Sequence, residues 1–367
     1  MAVTRVLILT AGFGEGHNAA ARNLRDALLA ADPALRVEMR DVFAEAYGWA
    51  NRLAVKAYLF VINRLPGVWN LIFQWMDRSS AAADRIGVFD RAVRLMRRIL
   101  DEFQPEVVVS VYPGCSHLLD HLHAEKTRPF RQIVIVTDSL TINRLWHTGS
   151  PDWYLAANDA TAAVMRNQGV PADRLRVTGF PVPAFFAALT EPKLPPAPGR
   201  RWKVLFMVNS GKHIAVEAVR ELLEVDGVEL SITVGRDEEL ERRIRAAVDA
   251  AGSDAQVYGW TKELPRLMAG AHVVVSKAGG ATVQECLAAI TPMVVSQIVP
   301  GQEEGNARLI AESGAGVIAI TPEAIAAAVR SAFAGGGETW RRWRDAASQL
   351  SRPNASREIA EWILTLK

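Results

Sequence analysis

The chain alternates short apolar runs with helical patterns, and this alternation is the feature that most limits its fold. The run RVLILTA (5–11) precedes a segment, from about Asn18 to Ala31, whose apolar residues repeat at helical spacing. Two later runs, EVVVSVYP (106–113) and RQIVIVTD (131–138), are continuous and rich in β-branched residues, as is typical of strands buried in a parallel sheet. The pattern therefore predicts an α/β protein with parallel sheets.

A proline-rich stretch, LTEPKLPPAPGRR (189–201), interrupts the alternation about halfway along the chain. Proline is disfavoured in helix interiors and in sheets, so this stretch is predicted to be an interdomain linker. Strand-like runs resume at KVLFMVNSG (203–211). We predict an N-terminal domain at 1–188, a linker at 189–201, a second domain at 202–337, and a C-terminal helix at 338–367 packed on the N-terminal domain. The cleft between the domains is the expected ligand site.

Composition narrows the classes of protein further. Half of the residues are hydrophobic, which argues against disorder, and the net charge of +2 gives no global attraction for nucleic acid. The two cysteines, Cys115 and Cys286, form no zinc pattern and fit a reducing cytosol. No apolar stretch is long enough to span a membrane, and the apolar N-terminus is interpreted as the first strand rather than a signal peptide.

The segment 46–76 differs from the rest because it contains basic and aromatic residues but no acidic residue. Such a stretch either lies in a membrane interface or forms a helical core with solvated charges. The candidate membrane residues are Arg52, Lys56, Tyr58, Arg64, Trp69 and Trp75.

A glycine-rich turn follows the first predicted strand and ends in a histidine, in the order Gly12-Phe13-Gly14-Glu15-Gly16-His17. His17 stands where a dinucleotide fingerprint needs its third glycine, and no Walker A lysine follows. A histidine at a helix N-terminus is predicted to be neutral, which suits a general base. The alternative is a histidine that only caps the loop through a hydrogen bond.

The block 258–310 carries a second, more specific pattern. The predicted strand HVVVSK runs into a glycine turn and then a helix, the order expected of a phosphate site. Glu285 lies one turn into that helix, where a carboxylate can accept both hydroxyls of a ribose. The next strand ends at a turn whose polar side chains suit the hydroxyls of a sugar. That turn contains Pro300, Gly301, Gln302, Glu303 and Asn306.

This block resembles the donor-binding segment of glycosyltransferase family 28. The loop with His17 and the segments VTDSLTINRLW and GVPADRLRVTGFPV resemble its branch of monogalactosyldiacylglycerol synthases and processive diacylglycerol glucosyltransferases. The resemblance implies a GT-B fold, with two Rossmann-like parallel-sheet domains facing a central cleft. Residues 1–188 would then be the acceptor and membrane-side domain, and residues 202–337 would be the domain that binds the UDP-sugar donor. One departure is that this chain has no histidine shortly after Thr137-Asp138.

The resemblance also implies roles for individual residues. His17 would be the general base on the acceptor hydroxyl. Asp138 would orient the acceptor or His17, although a capping aspartate is the alternative. The implied donor-binding residues are Gly14 and Gly16 in the opening loop; Gly259, Trp260 and Thr261 for the uracil; Glu285 for the ribose; Ser210, Gly211, Gly279, Gly280, Ala281 and Thr282 for the diphosphate; and Gln302, Glu303 and Asn306 for the sugar.

The resemblance therefore implies an inverting transferase that moves a hexose from a UDP-sugar onto diacylglycerol or a related membrane glycolipid. It also implies no cofactor and no tightly bound metal, with helix dipoles stabilising the leaving diphosphate instead. The expected location is the cytoplasmic face of the cell membrane, on anionic lipid. Glucose and galactose differ in one hydroxyl, and Gln302 and Glu303 can bond to either.

Four alternatives stay open. The same chemistry could use GlcNAc, or a lipid-linked or small-molecule acceptor. A UDP-GlcNAc 2-epimerase would share the architecture and need no lipid. An NAD-dependent oxidoreductase would use Asp41 for the ribose, although His17 in place of a glycine argues against it. A non-enzymatic sugar-nucleotide sensor would bind UDP without turnover.

Overall fold

The computed structural model describes residues 3–12, 14–64, 67–68, 71, 89–123, 127–189, 191, 193–208, 212–301 and 303–366. Over these residues, helices alternate with two parallel six-stranded sheets, which confirms the predicted α/β class. The strands are β1 Arg5–Thr10, β2 Arg36–Asp41, β3 Val107–Ser110, β4 Arg131–Ile135, β5 Trp153–Ala156, β6 Leu175–Val177, β7 Trp202–Met207, β8 Val228–Thr233, β9 Gln256–Tyr258, β10 Val273–Lys277, β11 Met293–Gln297 and β12 Gly316–Ile318.

The α-helices of the described residues connect these strands. They are α1 Glu15–Ala31, α2 Val42–Tyr47, α3 Trp49–Arg64, α4 Asp90–Phe103, α5 Pro113–Leu122, α6 Asp159–Asn167, α7 Lys212–Leu223, α8 Glu238–Ala250, α9 Leu264–Gly270, α10 Gly280–Ala288, α11 Glu304–Glu312, α12 Pro322–Leu350 and α13 Ala355–Leu364. None of the described helices combines the length and the apolar character that a membrane crossing needs.

The first sheet has the strand order β2-β1-β3-β4-β5-β6, with every neighbouring pair parallel. All four residues of β3, three valines and a serine, are buried. Burial of every residue is typical of a parallel strand that is covered on both faces. The chain leaves β1 toward β2 on one side and reaches β3 on the other. This reversal makes the carboxyl ends of β1 and β3 the place where an open α/β sheet binds its ligand.

The second sheet has the order β12-β11-β10-β7-β8-β9, the arrangement of a dinucleotide-binding fold. Its reversal point lies between β7 and β10. Buried aliphatic side chains from the strands, α7, α8 and α12 form one core, with Trp340 completely buried in it. The indole nitrogen of Trp340 donates to the carbonyl of His272 at 2.7 Å, so this large side chain leaves no polar group unsatisfied.

The chain divides into two compact units that do not follow chain order alone. The first unit comprises Met1–Ala184, Pro300–Gly305 and Asn354–Lys367, and the second comprises Phe185–Val299 and Asn306–Pro353. Within the first unit, α13 packs on α1, and Trp362 of α13 contacts Trp153 with ring centroids 5.3 Å apart.

The structure differs from the sequence prediction near the C-terminus. The segment 338–367 is not one helix, because α12 begins at Pro322 and α13 begins only at Ala355. Pro353 lies between the two helices and lacks the N–H group that a continuous helix would need. The strand β12 was also not predicted, since three residues carry too little pattern to be recognised.

A left-handed turn of three glycines interrupts α12. Gly335, Gly336 and Gly337 have φ angles of 60°, 71° and 84°. Residues other than glycine rarely adopt this left-handed backbone conformation even at a single position. Three consecutive positions in this conformation therefore strongly favour glycine. At Gly337 a Cβ would in addition collide with the indole ring of Trp202, whereas at Gly336 nothing lies within 4 Å.

We expect Gly336→Ala to lower the free energy of unfolding by about 1–2 kcal/mol through backbone strain alone. Gly337→Ala should cost clearly more, because the collision with Trp202 adds to the strain. Gly270→Ala is the matched control, since its helical backbone and open surroundings accept a methyl group without loss. Urea unfolding of the three variants measures these values. Equal losses for Gly336→Ala and Gly337→Ala would contradict the packing of this turn on Trp202.

Candidate active site

The first cluster of functional residues surrounds His17. His17 lies in the first turn of α1, directly after β1, and its Nδ1 is 2.9 Å from the carbonyl oxygen of Val111 at the end of β3. The hydroxyl of Thr137, which follows β4, is 3.0 Å from the same nitrogen. Adjacent parallel strands end at one edge of a sheet, so β1, β3 and β4 bring these three groups together.

These contacts fix the tautomer of His17. A carbonyl oxygen can only accept, so Nδ1 carries the proton and donates it to Val111. Nε2 then holds a lone pair, and no described residue donates a hydrogen bond to it. The contact reaches across to a neighbouring strand, so His17 is not a cap of its own loop.

Burial keeps the imidazole neutral. Desolvation lowers the pKa of His17 to about 4, and the hydrogen bond to Val111 opposes this shift only partly. The N-terminal end of α1 acts in the same direction because its dipole disfavours a positive charge. An imidazole that is neutral at pH 7, with a lone pair on Nε2, can accept a proton from a hydroxyl group.

Asp138 follows Thr137 and lies in the same cluster. Its Oδ2 accepts a hydrogen bond from the indole Nε1 of Trp146 at 2.7 Å. Burial raises the pKa of Asp138 to about 6; the bond from Trp146 opposes this rise, and the nearby Glu303 carboxylate adds to it. No hydrogen bond joins Asp138 to His17 in the described part of the chain, and its partner is an indole rather than the backbone N–H of a helix cap.

A second cluster lies at the carboxyl end of β10. Gly279 is the N-cap of α10 and has no side chain. The N–H groups of the first turn of this helix therefore have no side-chain cap. Asn306 is buried and donates from Nδ2 to the carbonyl of Ala278 at 3.1 Å, which holds the glycine turn in place. Glu285 is half-buried one turn into α10. Backbone donors at such a turn are suited to an anion such as phosphate.

A third group lies at the end of β9, on the edge of the same sheet. Trp260 is 56% exposed, and the guanidinium of Arg236 lies over its ring at 5.3 Å from the centroid. A Cβ at Gly259 would approach the Glu241 carboxylate to 2.7 Å, so the backbone here lies close to its neighbours. The strands β7 and β8 separate β9 from β10, which puts the two strand ends about 14 Å apart.

Comparison with known proteins identifies the chain. Residues 17–182 match the family model of monogalactosyldiacylglycerol (MGDG) synthase, and residues 213–333 match the glycosyltransferase family 28 C-terminal domain. The chain belongs to glycosyltransferase family 28. It is 24% identical to monogalactosyldiacylglycerol synthase 3 of Arabidopsis thaliana, over 98% of this chain and 81% of that protein. It is 23% identical to the processive diacylglycerol beta-glucosyltransferase of Bacillus subtilis, over 98% of this chain and 94% of that protein.

Solved structures show the GT-B fold. MurG of Acinetobacter baumannii matches with a TM-score of 0.62 at 14% identity, over 99% of this chain and 100% of that chain. A UDP-GlcNAc 2-epimerase from Neisseria meningitidis matches with a TM-score of 0.63 at 13% identity, over the same shares of the two chains. At these identities the likeness is one of fold, so the epimerase match carries no activity to this chain.

The structure locates most of the residues singled out in this family 28 enzyme. His17, Asp138 and Glu303 belong to the first unit, as do Gly14, the N-cap of α1, and Gly16 in its first turn. The second unit holds the uracil, ribose and remaining phosphate candidates, namely Gly259, Trp260, Thr261, Gly279, Gly280, Ala281, Thr282 and Glu285, together with Asn306. Ser210, Gly211, Gln302, Trp69 and Trp75 lie outside the described residues, as does the side chain of Arg64.

Three further residues lie at these clusters but were not singled out by the sequence analysis. Thr137 and Trp146 contact His17 and Asp138, as described above. Lys277 follows a register shift in the pairing of β10 with β11, and its Nζ lies 3.2 Å from where a Cβ on Gly279 would be. A lysine two residues before a glycine turn is a sequence signal for a group that could lie near a phosphate, whereas nothing in the sequence distinguishes Trp146.

The oxidoreductase hypothesis needs Asp41 to bind a ribose, and the contacts of Asp41 do not support that role. The Oδ1 of Asp41 accepts the backbone N–H of Ala44 at 2.8 Å and so caps α2. A Cβ on Gly12 would lie 3.2 Å from the other oxygen of the same carboxylate, so Asp41 lies against the glycine turn that would have to hold the cofactor's phosphates.

Proposed function

We propose that this glycosyltransferase moves a hexose, glucose or galactose, from a UDP-sugar onto diacylglycerol or a related membrane glycolipid, with inversion at the anomeric carbon. The observation that carries the proposal is the neutral, Nδ1-protonated His17 with Nε2 available as a base. The names of the Arabidopsis thaliana and Bacillus subtilis relatives, a monogalactosyldiacylglycerol synthase and a diacylglycerol glucosyltransferase, support the choice of acceptor.

The proposed reaction is a single displacement. Nε2 of His17 takes the proton of the acceptor hydroxyl while its oxygen forms a bond to the anomeric carbon. The bond from that carbon to the diphosphate breaks on the opposite face, and its electron pair leaves on the phosphate oxygen as UDP. One displacement inverts the anomeric configuration.

The second unit is proposed to hold the UDP moiety. The spacing of about 14 Å between the ends of β9 and β10 suits a nucleotide whose uracil lies beside Gly259 and Trp260 and whose diphosphate lies at the N-terminus of α10. The uncapped N–H groups of α10 and its dipole would stabilise the leaving charge, so the proposal includes no tightly bound metal.

The proposed acceptor is a lipid, and α3 supports contact with a membrane surface. Trp49, Leu53 and Phe60 are exposed by 71%, 60% and 59%. At about 100° per residue they lie within about 40° of one another around the helix, and the exposed Arg52 and Lys56 lie along one side of them. Apolar residues bordered by cations fit the interface of an anionic membrane, which we propose to be the inner face of the cell membrane.

We expect UDP release that depends on diacylglycerol micelles, measured in parallel with UDP-glucose, UDP-galactose and UDP-GlcNAc. His17→Gln cannot accept a proton and should lower kcat at least about a hundredfold, with little change in the KM for the donor. His121→Gln, on the exposed side of α5, is the matched control and should leave kcat unchanged. Full activity of His17→Gln would contradict the role of His17. Lipid-independent conversion of UDP-GlcNAc alone would point to an epimerase.

We expect the triple variant Trp49→Ser, Leu53→Ser, Phe60→Ser to lose binding to vesicles of anionic phospholipid by at least about a hundredfold, because three side chains lose their burial in lipid. Vesicle co-flotation measures this. Arg52→Gln with Lys56→Gln should weaken binding to anionic vesicles while leaving binding to neutral vesicles unchanged.

The control for this surface is Ile320→Ser, which removes an apolar side chain that is 58% exposed in the second unit. It should bind vesicles like the unmodified enzyme. If the triple variant also does so, α3 is not the membrane surface.

A further inference from the structure

The indole of Trp146 lies between the two polar groups of the first cluster. Its Nε1 donates to Oδ2 of Asp138 at 2.7 Å, and its ring centroid is 6.0 Å from that of the His17 imidazole. The side chain is 2% exposed and packs in a core with Val134, Ile142 and Tyr154. Because the indole is buried and contacts Asp138 through Nε1 and His17 through its ring, it is held in one orientation.

We propose that Trp146 is a positioning residue that holds the Asp138 carboxylate and the His17 imidazole in one fixed arrangement. The assignment of a chemical role to that arrangement rests on the proposed function. The physical contact between the three side chains does not.

The hydrogen bond from Trp146 decides what Asp138 can offer a substrate. It occupies Oδ2, while no described residue donates to Oδ1. A carboxylate with one oxygen tied to a buried, rigid donor presents its other oxygen in one direction. Oδ1 is therefore set to accept a hydrogen bond from a substrate hydroxyl, next to an imidazole that accepts a proton.

The ring of Trp146 has a corresponding effect on His17. Four groups contact the imidazole: the carbonyl of Val111 and the hydroxyl of Thr137 at Nδ1, the edge-on ring of Tyr112 with centroids 5.3 Å apart, and the indole of Trp146. Together they restrict rotation about the side-chain bonds, so Nε2 keeps its direction. Loss of the indole would leave the contacts with Val111, Thr137 and Tyr112 and would remove the restraint on the side that faces Asp138.

The charged and titratable groups around this arrangement come from four elements. Asp138 faces Glu303 of the segment 300–305 and the indole of Trp146. Beyond the indole lie His17 of α1 and Tyr112, the N-cap of α5. An ionised carboxylate is the stronger acceptor for an indole N–H, so protonation of Asp138 weakens the bond that orients it.

The first test observes the contact itself and needs no activity. Of the ten indole N–H signals in a ¹⁵N spectrum of the full chain, the one missing in Trp146→Phe belongs to Trp146. We expect this signal to shift between about pH 8 and about pH 5 as Asp138 gains its proton, and to lose the shift in Asp138→Asn. A signal that does not respond to pH, or that responds equally in Asp138→Asn, overturns the proposal.

The second test separates positioning from plain packing. Trp146→Phe keeps most of the ring but loses the donor, so we expect kcat to fall roughly tenfold with an unchanged KM for the donor. Because the bond from Trp146 lowers the pKa of Asp138, its loss should move the acidic limb of kcat/KM to higher pH. In Asp138→Asn the limb that belongs to Asp138 should be absent, so that only the titration of His17 near pH 4 remains, and adding Trp146→Phe should then cost little more.

Trp153→Phe is the control, since Trp153 lies in the same unit and packs on Trp362 instead. It should leave kcat and the limb unchanged. A fall in kcat without movement of the limb, or an equal effect of Trp153→Phe, assigns Trp146 to packing and overturns the proposal. If the unmodified enzyme transfers no sugar at all while its Trp146 signal follows Asp138, the proposed function fails and the contact stands.

Discussion

The hydrogen bond from Nδ1 of His17 to the carbonyl of Val111 is the contact on which the account of the active site depends. It ties the first turn of α1 to the end of β3, across the point where the strand order of the first sheet reverses. It places the single proton of a neutral imidazole on one nitrogen and leaves the other as a base. Burial then keeps the ring neutral by lowering the pKa of His17 to about 4. Without this bond, the same residue could present either nitrogen.

The two units share one sheet arrangement but present different chemical groups at the ends of their strands. Each has a six-stranded parallel sheet, and in each the reversal of strand order brings loops of different chain segments together. In the first unit this gathers side chains that can move a proton and orient a hydroxyl. In the second it exposes backbone N–H groups at the start of α10, which suit an anion.

Much of this arrangement could be predicted from the sequence because its signals are local. Continuous β-branched runs such as 106–113 identify buried strands, and a glycine turn between a strand and a helix identifies the turn at Gly279. His17 was recognisable because it follows such a turn. The GT-B fold and the family followed from segments that resemble known relatives and that the comparisons confirm.

The remainder depends on contacts between distant parts of the chain. Trp146 matters because β4 brings Asp138 beside it and β1 brings His17 to its ring, and neither contact leaves a sequence pattern. The position of Glu303 close to Asp138 joins residues 165 positions apart, so no local periodicity reports it. The break between α12 and α13 was missed because the helical pattern on both sides concealed the effect of Pro353.

The state of the His17 imidazole can be measured directly in its ¹⁵N spectrum, assigned by its absence in His17→Gln. We predict a protonated Nδ1 and an unprotonated Nε2 at neutral pH, unchanged until the pH approaches about 4. A proton on Nε2, or a titration near the ordinary histidine value of about 6.5, would contradict it.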